Sequence, residues 1–141
     1  MAGEKVGSFY CWSWWSGGLR IYVASSEKGA HRVGLALKDE GDGCTYFHRR
    51  LSLENVEENK EKNRLLISAV EAALRNRPVI RDIAMDVRAT PFQWKAWRAI
   101  AEIPFGETRT YGEVAAWVGK AGGARAIGQA MGRNPLPLIF P

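Results

Sequence analysis

The chain has 141 residues, a length that fits one domain or two small domains sharing an interface. Hydrophobic residues make up 46% of the sequence, enough for a folded core, and the net charge of +5 permits a nucleic-acid or other anionic partner. Because no apolar run reaches about 18 residues and the start MAGEKVG lacks a signal-peptide pattern, we expect no membrane span and a cytoplasmic protein, or a nuclear one in a eukaryote.

The first three predicted elements are strands. Residues 8–15 are aromatic and β-prone, residues 19–24 alternate apolar with other side chains, and residues 31–37 have the composition of a return strand. The alternation in the second stretch is typical of a strand with one buried face. We therefore expect an antiparallel hairpin at the start of a small sheet.

The sequence between this sheet and the middle of the chain alternates polar and apolar stretches. We expect residues 44–53 to form another short strand and residues 54–62 to form a solvated loop or a first helical turn. Residues 66–74 keep helical spacing, and Pro78 ends the helix. Residues 80–87 are predicted to be a short extended linker.

The two cysteines and two histidines, the usual ligands of zinc-class metals, show no spacing typical of a metal site. Cys11 and Cys44 form no Cys-x-x-Cys pair, so the sequence predicts no metal site and two reduced thiols. His31 and His48 are each expected to be solvated or at the edge of a core. None of the four is predicted to carry chemistry.

A third helix is expected to begin at residues 90–93, Thr-Pro-Phe-Gln. Thr and Gln have the spacing of a capping box, and proline fits the first helical position. Apolar side chains then recur on one face of the helix, at Phe92, Ala96, Trp97 and Ile100. In the turn that follows, Glu107 is interpreted as a turn or capping carboxylate and not as a catalytic acid.

Residues 110–132 are predicted to form a helix-turn-helix. Thr110 and Glu113 have capping spacing, and Gly119 suits the left-handed end of the first helix. The apolar face of that helix is Tyr111, Val114, Ala115 and Val118. The second helix, residues 123–132, is mostly Ala and Gly, and each interior glycine costs about 1 kcal/mol relative to alanine. Such a helix often has another helix or a nucleic-acid groove pressed against its backbone, and the charged residues after Val114 are all positive.

Two runs in this half, IPFGETRTYGEVA and GGARAIGQAMGRNPLPLIFP, resemble the C-terminal domain of O6-alkylguanine-DNA alkyltransferases, also called methylated-DNA–protein-cysteine methyltransferases. The resemblance is dense over residues 90–141 and weak before them. It implies an α+β N-terminal domain, residues 1–88, followed by an α-helical winged-helix-like (helix-turn-helix) DNA-binding domain, residues 89–141. It also implies a monomer that binds double-stranded DNA containing alkylated guanine, with no cofactor, no metal and no membrane.

The resemblance assigns roles to individual residues. The implied DNA-binding residues are Tyr111, Ala124, Arg125, Ala126, Gly128 and Arg133. The small side chains would let the second helix sit shallowly in the minor groove, while Arg125 would fill the place of a flipped base. Tyr111 would crowd the phosphate and line the base pocket. Asn134 would be the hinge that ties the second helix to the loop bearing the nucleophile.

The family chemistry is direct alkyl transfer to a cysteine thiolate that a neighbouring His activates through water. The resemblance places Cys-His-Arg directly after Pro141, so we expect no catalytic residue, and no transfer, within the printed sequence. Cys11 and Cys44 are not expected to replace that cysteine. The apolar run LPLIFP is expected to pack against a following segment.

Two other functions remain open. One is a non-catalytic module that binds alkylguanine without removing the alkyl group; the residue after Pro141 separates this reading from an alkyltransferase. The other is a winged-helix regulator that reads the major groove, although its longer polar side chains are not found on the Ala/Gly helix face.

Overall fold

The computed structural model describes residues 8–79 and 82–140. A four-stranded sheet of order β3-β2-β1-β4 is built from β1 (Phe9–Ser16), β2 (Leu19–Ser26), β3 (Gly29–Ala36) and β4 (Val56–Glu58). The first three strands form an antiparallel meander, and β4 pairs parallel to β1. The helices are α1 (Gly43–Leu51), α2 (Arg64–Leu74), α3 (Pro91–Ala101), α4 (Tyr111–Trp117) and α5 (Ala124–Gly132), with a 3-10 turn at Glu61–Asn63 before α2. None of these helices, over the described ranges, has the length and apolar content to cross a membrane.

The predicted hairpin is confirmed, but β2 is buried on both faces and not on one. Ile21 and Val23 point into the main core, while Tyr22 and Ala24 are equally inaccessible on the opposite face. The second face is covered by Phe47 and its neighbours on α1. The alternating pattern reports only that one face is apolar, because tyrosine and alanine can lie in either environment.

The predicted strand at residues 44–53 is wrong, because this segment is helix α1. Asp42 caps the helix, its carboxylate accepting a hydrogen bond from the Thr45 amide at 2.7 Å. Basic residues occupy the last turn, where the helix dipole favours them. Tyr46 then stacks on Tyr22 with ring centroids 3.9 Å apart, which anchors the helix on the sheet.

The stretch predicted as a loop or helical turn, residues 54–62, contains β4 and part of the 3-10 turn. Its strand is short and polar, and the parallel pairing with β1 depends on residues more than 40 positions earlier. The predicted helix at residues 66–74 is confirmed by α2. In the predicted linker, Met85 forms a parallel bridge with Ala30, whereas Ile80 and Arg81 lie outside the described residues.

The main core joins both halves of the chain. Ile21, Val23 and Leu66 of the first half pack with Trp97 of α3 and with the apolar run after α5. Three residues of that run are almost inaccessible: Leu136, Ile139 and Phe140. The run is therefore largely covered within the described part of the chain, and its packing against a following segment stays a prediction. Its backbone is also held by the sheet, since the Val33 amide donates to the Pro135 carbonyl at 2.9 Å.

Candidate nucleic-acid interface

Helices α4 and α5 form the predicted helix-turn-helix. Thr110 caps α4 by accepting a hydrogen bond from the Glu113 amide at 3.1 Å. The Glu113 carboxylate lies 3.9 Å from Arg109. Gly119, with φ of 81°, ends the helix in the left-handed region as predicted. The winged-helix detail of the fold stays a prediction.

Helix α3 is confirmed with its complete capping box at Thr90 and Gln93, and it positions α5. The buried indole of Trp97 donates a hydrogen bond from Nε1 to the Ala130 carbonyl at 2.8 Å. Ile127 is fully buried on the same side of α5. One face of α5 is thus fixed to the protein, so its other face is presented at a defined angle.

The outward face of α5 carries little side-chain bulk apart from Arg125 and Gln129. Ala124, Ala126 and Gly128 are half-buried, and Arg125 stands exposed among them. Within the described part of the chain, no ion pair or hydrogen bond engages the Arg125 guanidinium. The helix therefore offers a free cation, Arg125, and one long neutral side chain, Gln129, on a surface of otherwise small residues.

Gly128 has a specific steric partner. A Cβ built at this position would lie 3.3 Å from Cε2 of the Tyr111 ring, which is tighter than ordinary van der Waals contact. Tyr111 itself is 50% exposed, so its ring lies across the α5 backbone with one side open to solvent. The glycine thus lets the aromatic ring and the helix backbone form one shallow surface.

Asn134 follows α5 and holds the segment after it. Its side-chain oxygen accepts a hydrogen bond from the Leu136 amide at 2.9 Å, while its side-chain nitrogen donates to the Phe140 carbonyl. One side chain therefore closes the turn between α5 and the buried apolar run. These are the contacts that a hinge at this position needs; the hinge role itself stays a prediction.

Arg133 is exposed at the end of α5 and borders a cleft that the sequence does not indicate. The cleft, of about 470 Å³, is also lined by His31, Arg32 and Arg88. His31 Nδ1 lies 2.8 Å from the Asp86 carbonyl oxygen, so the histidine is at a core edge, as expected. The basic residues come from β3, from the segment between α2 and α3, and from the residue after α5, and only the fold brings them together.

Glu107 lies in the turn before α4, as predicted, and its contacts are those of a turn residue and not of a catalytic acid. Its backbone amide donates to the Pro104 carbonyl at 3.0 Å, closing the turn before α4. Its carboxylate is exposed, as is the neighbouring Phe105 ring. The turn interpretation is consistent with these contacts, but no capping hydrogen bond from the carboxylate is seen among the described residues.

The two cysteines lie together, which their spacing of 33 residues does not indicate. Cys11 of β1 is fully buried, Cys44 of α1 is half-buried, and their Sγ atoms are 3.0 Å apart. Burial raises the pKa of both thiols, that of Cys11 most strongly. Both are therefore protonated and poor nucleophiles at neutral pH. They pack between β1, β4 and α1, away from the α5 face.

Comparison with known proteins identifies relatives for both halves of the chain. Residues 91–141 match the family described as "6-O-methylguanine DNA methyltransferase, DNA binding domain". A methylated-DNA–protein-cysteine methyltransferase of Methanosarcina mazei is 36% identical over 122 residues, covering 86% of this chain and 72% of the relative. One of Methanosarcina acetivorans is 39% identical over 113 residues, covering 76% of this chain and 72% of the relative. The Mycobacterium tuberculosis protein of the same name is 50% identical over 60 residues, 43% of this chain, which span only 36% of its own length.

Solved structures share the fold. The crystal structure of Mycobacterium tuberculosis OGT in complex with DNA superposes with a TM-score of 0.70 at 26% identity, covering 94% of this chain and 74% of that one. The R37L variant of the M. tuberculosis O6-methylguanine methyltransferase gives a TM-score of 0.71 at 27% identity, with coverage of 94% and 75%. The α+β first part and the helical second part are therefore those of a known architecture.

Proposed function

Because this chain belongs to the methylated-DNA–protein-cysteine methyltransferase family, we propose that it binds duplex DNA through α5 and extrudes an O6-alkylated guanine for repair. The observation that carries the proposal is the exposed, unpaired Arg125 on a helix face that is otherwise made of small residues apart from Gln129. A polyanion satisfies that guanidinium without a protein partner.

The shape of α5 supports entry into the minor groove. That groove is too narrow for a helix with long side chains, whereas Ala124, Ala126 and Gly128 add little to the helix radius. The Tyr111 ring lies level with this surface and would face the sugar-phosphate backbone beside the lesion. A major-groove reader would need several long polar side chains on the same face.

The charge of Arg125 supports extrusion. Removing a base from the stack costs a few kcal/mol, and this cost must be offset by new contacts. A planar guanidinium can stack on neighbouring bases and donate hydrogen bonds to the unpaired partner base. We propose that Arg125 occupies the vacated position while Tyr111 lines the pocket for the flipped guanine.

The chemical step proposed for the whole protein is the family's direct transfer. A cysteine sulfur forms a bond to the alkyl carbon as the bond from that carbon to guanine O6 breaks, and the guanine takes up a proton. The resemblance places the acceptor directly after Pro141, where Asn134 would hold the approach to it through its bonds to Leu136 and Phe140. The Cys11 and Cys44 thiols, whose pKa values are raised by burial, are unsuited to this step.

The test compares Arg125→Ala with Arg133→Ala in the 141-residue chain. Binding is measured by fluorescence anisotropy on matched duplexes with guanine or O6-methylguanine, and extrusion by 2-aminopurine fluorescence next to the lesion. Arg125→Ala should abolish most of the preference for the alkylated duplex and the rise in fluorescence. Arg133→Ala, as a phosphate contact, should weaken both duplexes alike and lower the salt slope by about one.

An equal loss on both duplexes in Arg125→Ala would make this residue a phosphate contact and overturn its role in extrusion. Failure of the unsubstituted chain to bind either duplex would overturn the proposed interface altogether. Arg125→Lys is the conservative control, because it keeps the charge but loses the planar, stacking group. We expect it to retain affinity for normal DNA and to lose the lesion preference.

A further inference from the structure

Away from α5, three metal-ligating side chains converge on one point between the sheet and α1. They are Cys11 of β1, Cys44 of α1 and Glu58 of β4, and one donor atom of each lies within 4.8 Å of the other two. Three separate elements supply them, so the arrangement exists only in the folded chain. We infer that these residues form a binding site for a thiophilic divalent cation of the zinc class.

The donor set decides the class of cation. Two thiolates and a carboxylate are ligands that Zn²⁺ accepts in four-coordinate sites, leaving one position for water. Mg²⁺ and Ca²⁺ prefer oxygen donors throughout and keep larger coordination numbers. A pair of sulfur atoms therefore selects against the abundant hard cations.

The distance between the two sulfurs fits either a metal or a disulfide, and Glu58 distinguishes them. Tetrahedral coordination with bonds of about 2.3 Å places two sulfurs about 3.8 Å apart, whereas a disulfide needs about 2.0 Å. The observed Sγ–Sγ distance of 3.0 Å lies between these values. A carboxylate adds nothing to a disulfide, but it completes a ligand set.

Glu58 is held in place for this role. One of its carboxylate oxygens accepts a hydrogen bond from the Gly43 amide, the first amide of α1, at 3.1 Å. That bond orients the carboxylate and leaves the second oxygen for a cation, as hydrogen bonds to metal-ligating carboxylates commonly do. The N-terminus of α1 thus helps to orient the Glu58 carboxylate.

The surroundings of the thiols are negative. Glu58 and Asp42 are the charged groups whose fields act on both Cys11 and Cys44, and both fields oppose loss of the thiol protons. A bound dication reverses this balance, because it attracts the same carboxylates and stabilises both thiolates. Binding would release two protons to the buffer, one from each thiol.

A route into the site exists from solvent. Cys44 lines a surface cleft of about 430 Å³ together with Thr45, His48 and Val56. Cys11 lies behind it and is fully buried. Because Glu58 is exposed and Cys44 is half-buried, a cation would meet these two ligands before Cys11.

The test titrates the reduced 141-residue chain with Co²⁺ and Zn²⁺ in a non-chelating phosphine reductant. We expect one Co²⁺ per chain, a sulfur-to-cobalt charge-transfer band, release of two protons, displacement by Zn²⁺ and none by Mg²⁺. Cys44→Ser, at a half-buried position, should abolish the band and the rise in melting temperature that Zn²⁺ gives. Glu58→Gln should weaken binding at least about tenfold.

The matched control is Glu57→Gln, which changes the adjacent carboxylate, exposed like that of Glu58, but keeps the backbone carbonyl that Cys11 contacts. It should bind Co²⁺ as the unsubstituted chain does. The inference is overturned if reduced protein binds no Co²⁺, or if Cys44→Ser binds it unchanged. It is equally overturned if peptide mass spectrometry of freshly purified protein shows Cys11 and Cys44 joined with the loss of two hydrogens. None of these outcomes depends on DNA binding, so the proposed function is tested separately.

Discussion

Replacing Gly128 by alanine should change stability and DNA affinity in opposite directions. In a helix interior, alanine is favoured over glycine by about 1 kcal/mol. The new Cβ would lie 3.3 Å from the Tyr111 ring, which must shift by a few tenths of an ångström. Because that ring is half exposed, it can shift at little cost, and we expect a rise in melting temperature of up to about 3 °C for a chain of this length.

The same methyl group should weaken DNA binding. It fills space on the surface between α5 and Tyr111, where DNA is proposed to bind. Crowding of a close-packed contact between protein and DNA there should cost about 1 kcal/mol, the low end of the range for overpacking. That corresponds to about fivefold lower affinity for the alkylated duplex. Differential scanning fluorimetry and fluorescence anisotropy on one protein preparation measure the two effects together.

Gly132→Ala provides the control within the same helix. A Cβ there would have no neighbour within 4 Å, so this substitution tests the gain in helix propensity without crowding Tyr111. Because Gly132 is the last residue of α5, the stability gain should be smaller than the interior value, and the affinity should be unchanged. The reasoning is refuted if both variants bind DNA alike, or if Gly128→Ala lowers the melting temperature.

Three further predictions concern contacts that hold the site. Trp97→Phe removes the hydrogen bond to α5 and part of a buried ring. Chemical denaturation should show a loss of about 2–3 kcal/mol in the free energy of unfolding. The control, Trp117→Phe at an exposed position, should lose about 0.5 kcal/mol or less. Asn134→Ala should cost about 2 kcal/mol for two lost hydrogen bonds and speed amide hydrogen exchange at Leu136, whereas Asn134→Asp, which keeps the acceptor, should protect that amide. The pKa of Asp42 lies below its ordinary value of 3.8 because the carboxylate accepts a hydrogen bond from the Thr45 amide. The stability that this ionised carboxylate contributes is therefore present above pH 3.8 and is lost as the pH falls through the folded-state pKa. The melting temperature of the unsubstituted chain should therefore fall relative to that of Asp42→Asn in acid, and parallel curves would contradict this.

What could be predicted from the sequence is what neighbouring residues determine. The caps at Thr90 and Thr110 and the left-handed Gly119 depend on three or four successive positions, and all three are found. The small-residue character of α5 is equally local. These features place the helix-turn-helix and the exposed Arg125 without knowledge of the rest of the fold.

What could not be predicted depends on residues distant in the chain. Helix α1 has the aromatic composition of a strand, and its helical state is fixed by the Asp42 cap and by packing on Tyr22. Strand β4 exists because β1 offers it an edge. The pairing of Cys11 with Cys44 follows from the same arrangement, and no spacing rule for metal ligands detects partners this far apart.

The hydrogen bond from Val33 to Pro135, with the apolar run buried beneath it, joins the sheet to the segment that follows α5. A mutational screen scored on DNA repair would therefore recover hits inside β2 and β3 that never approach a nucleotide. Engineering of this chain should therefore treat the sheet as part of the functional unit and not as a separate support.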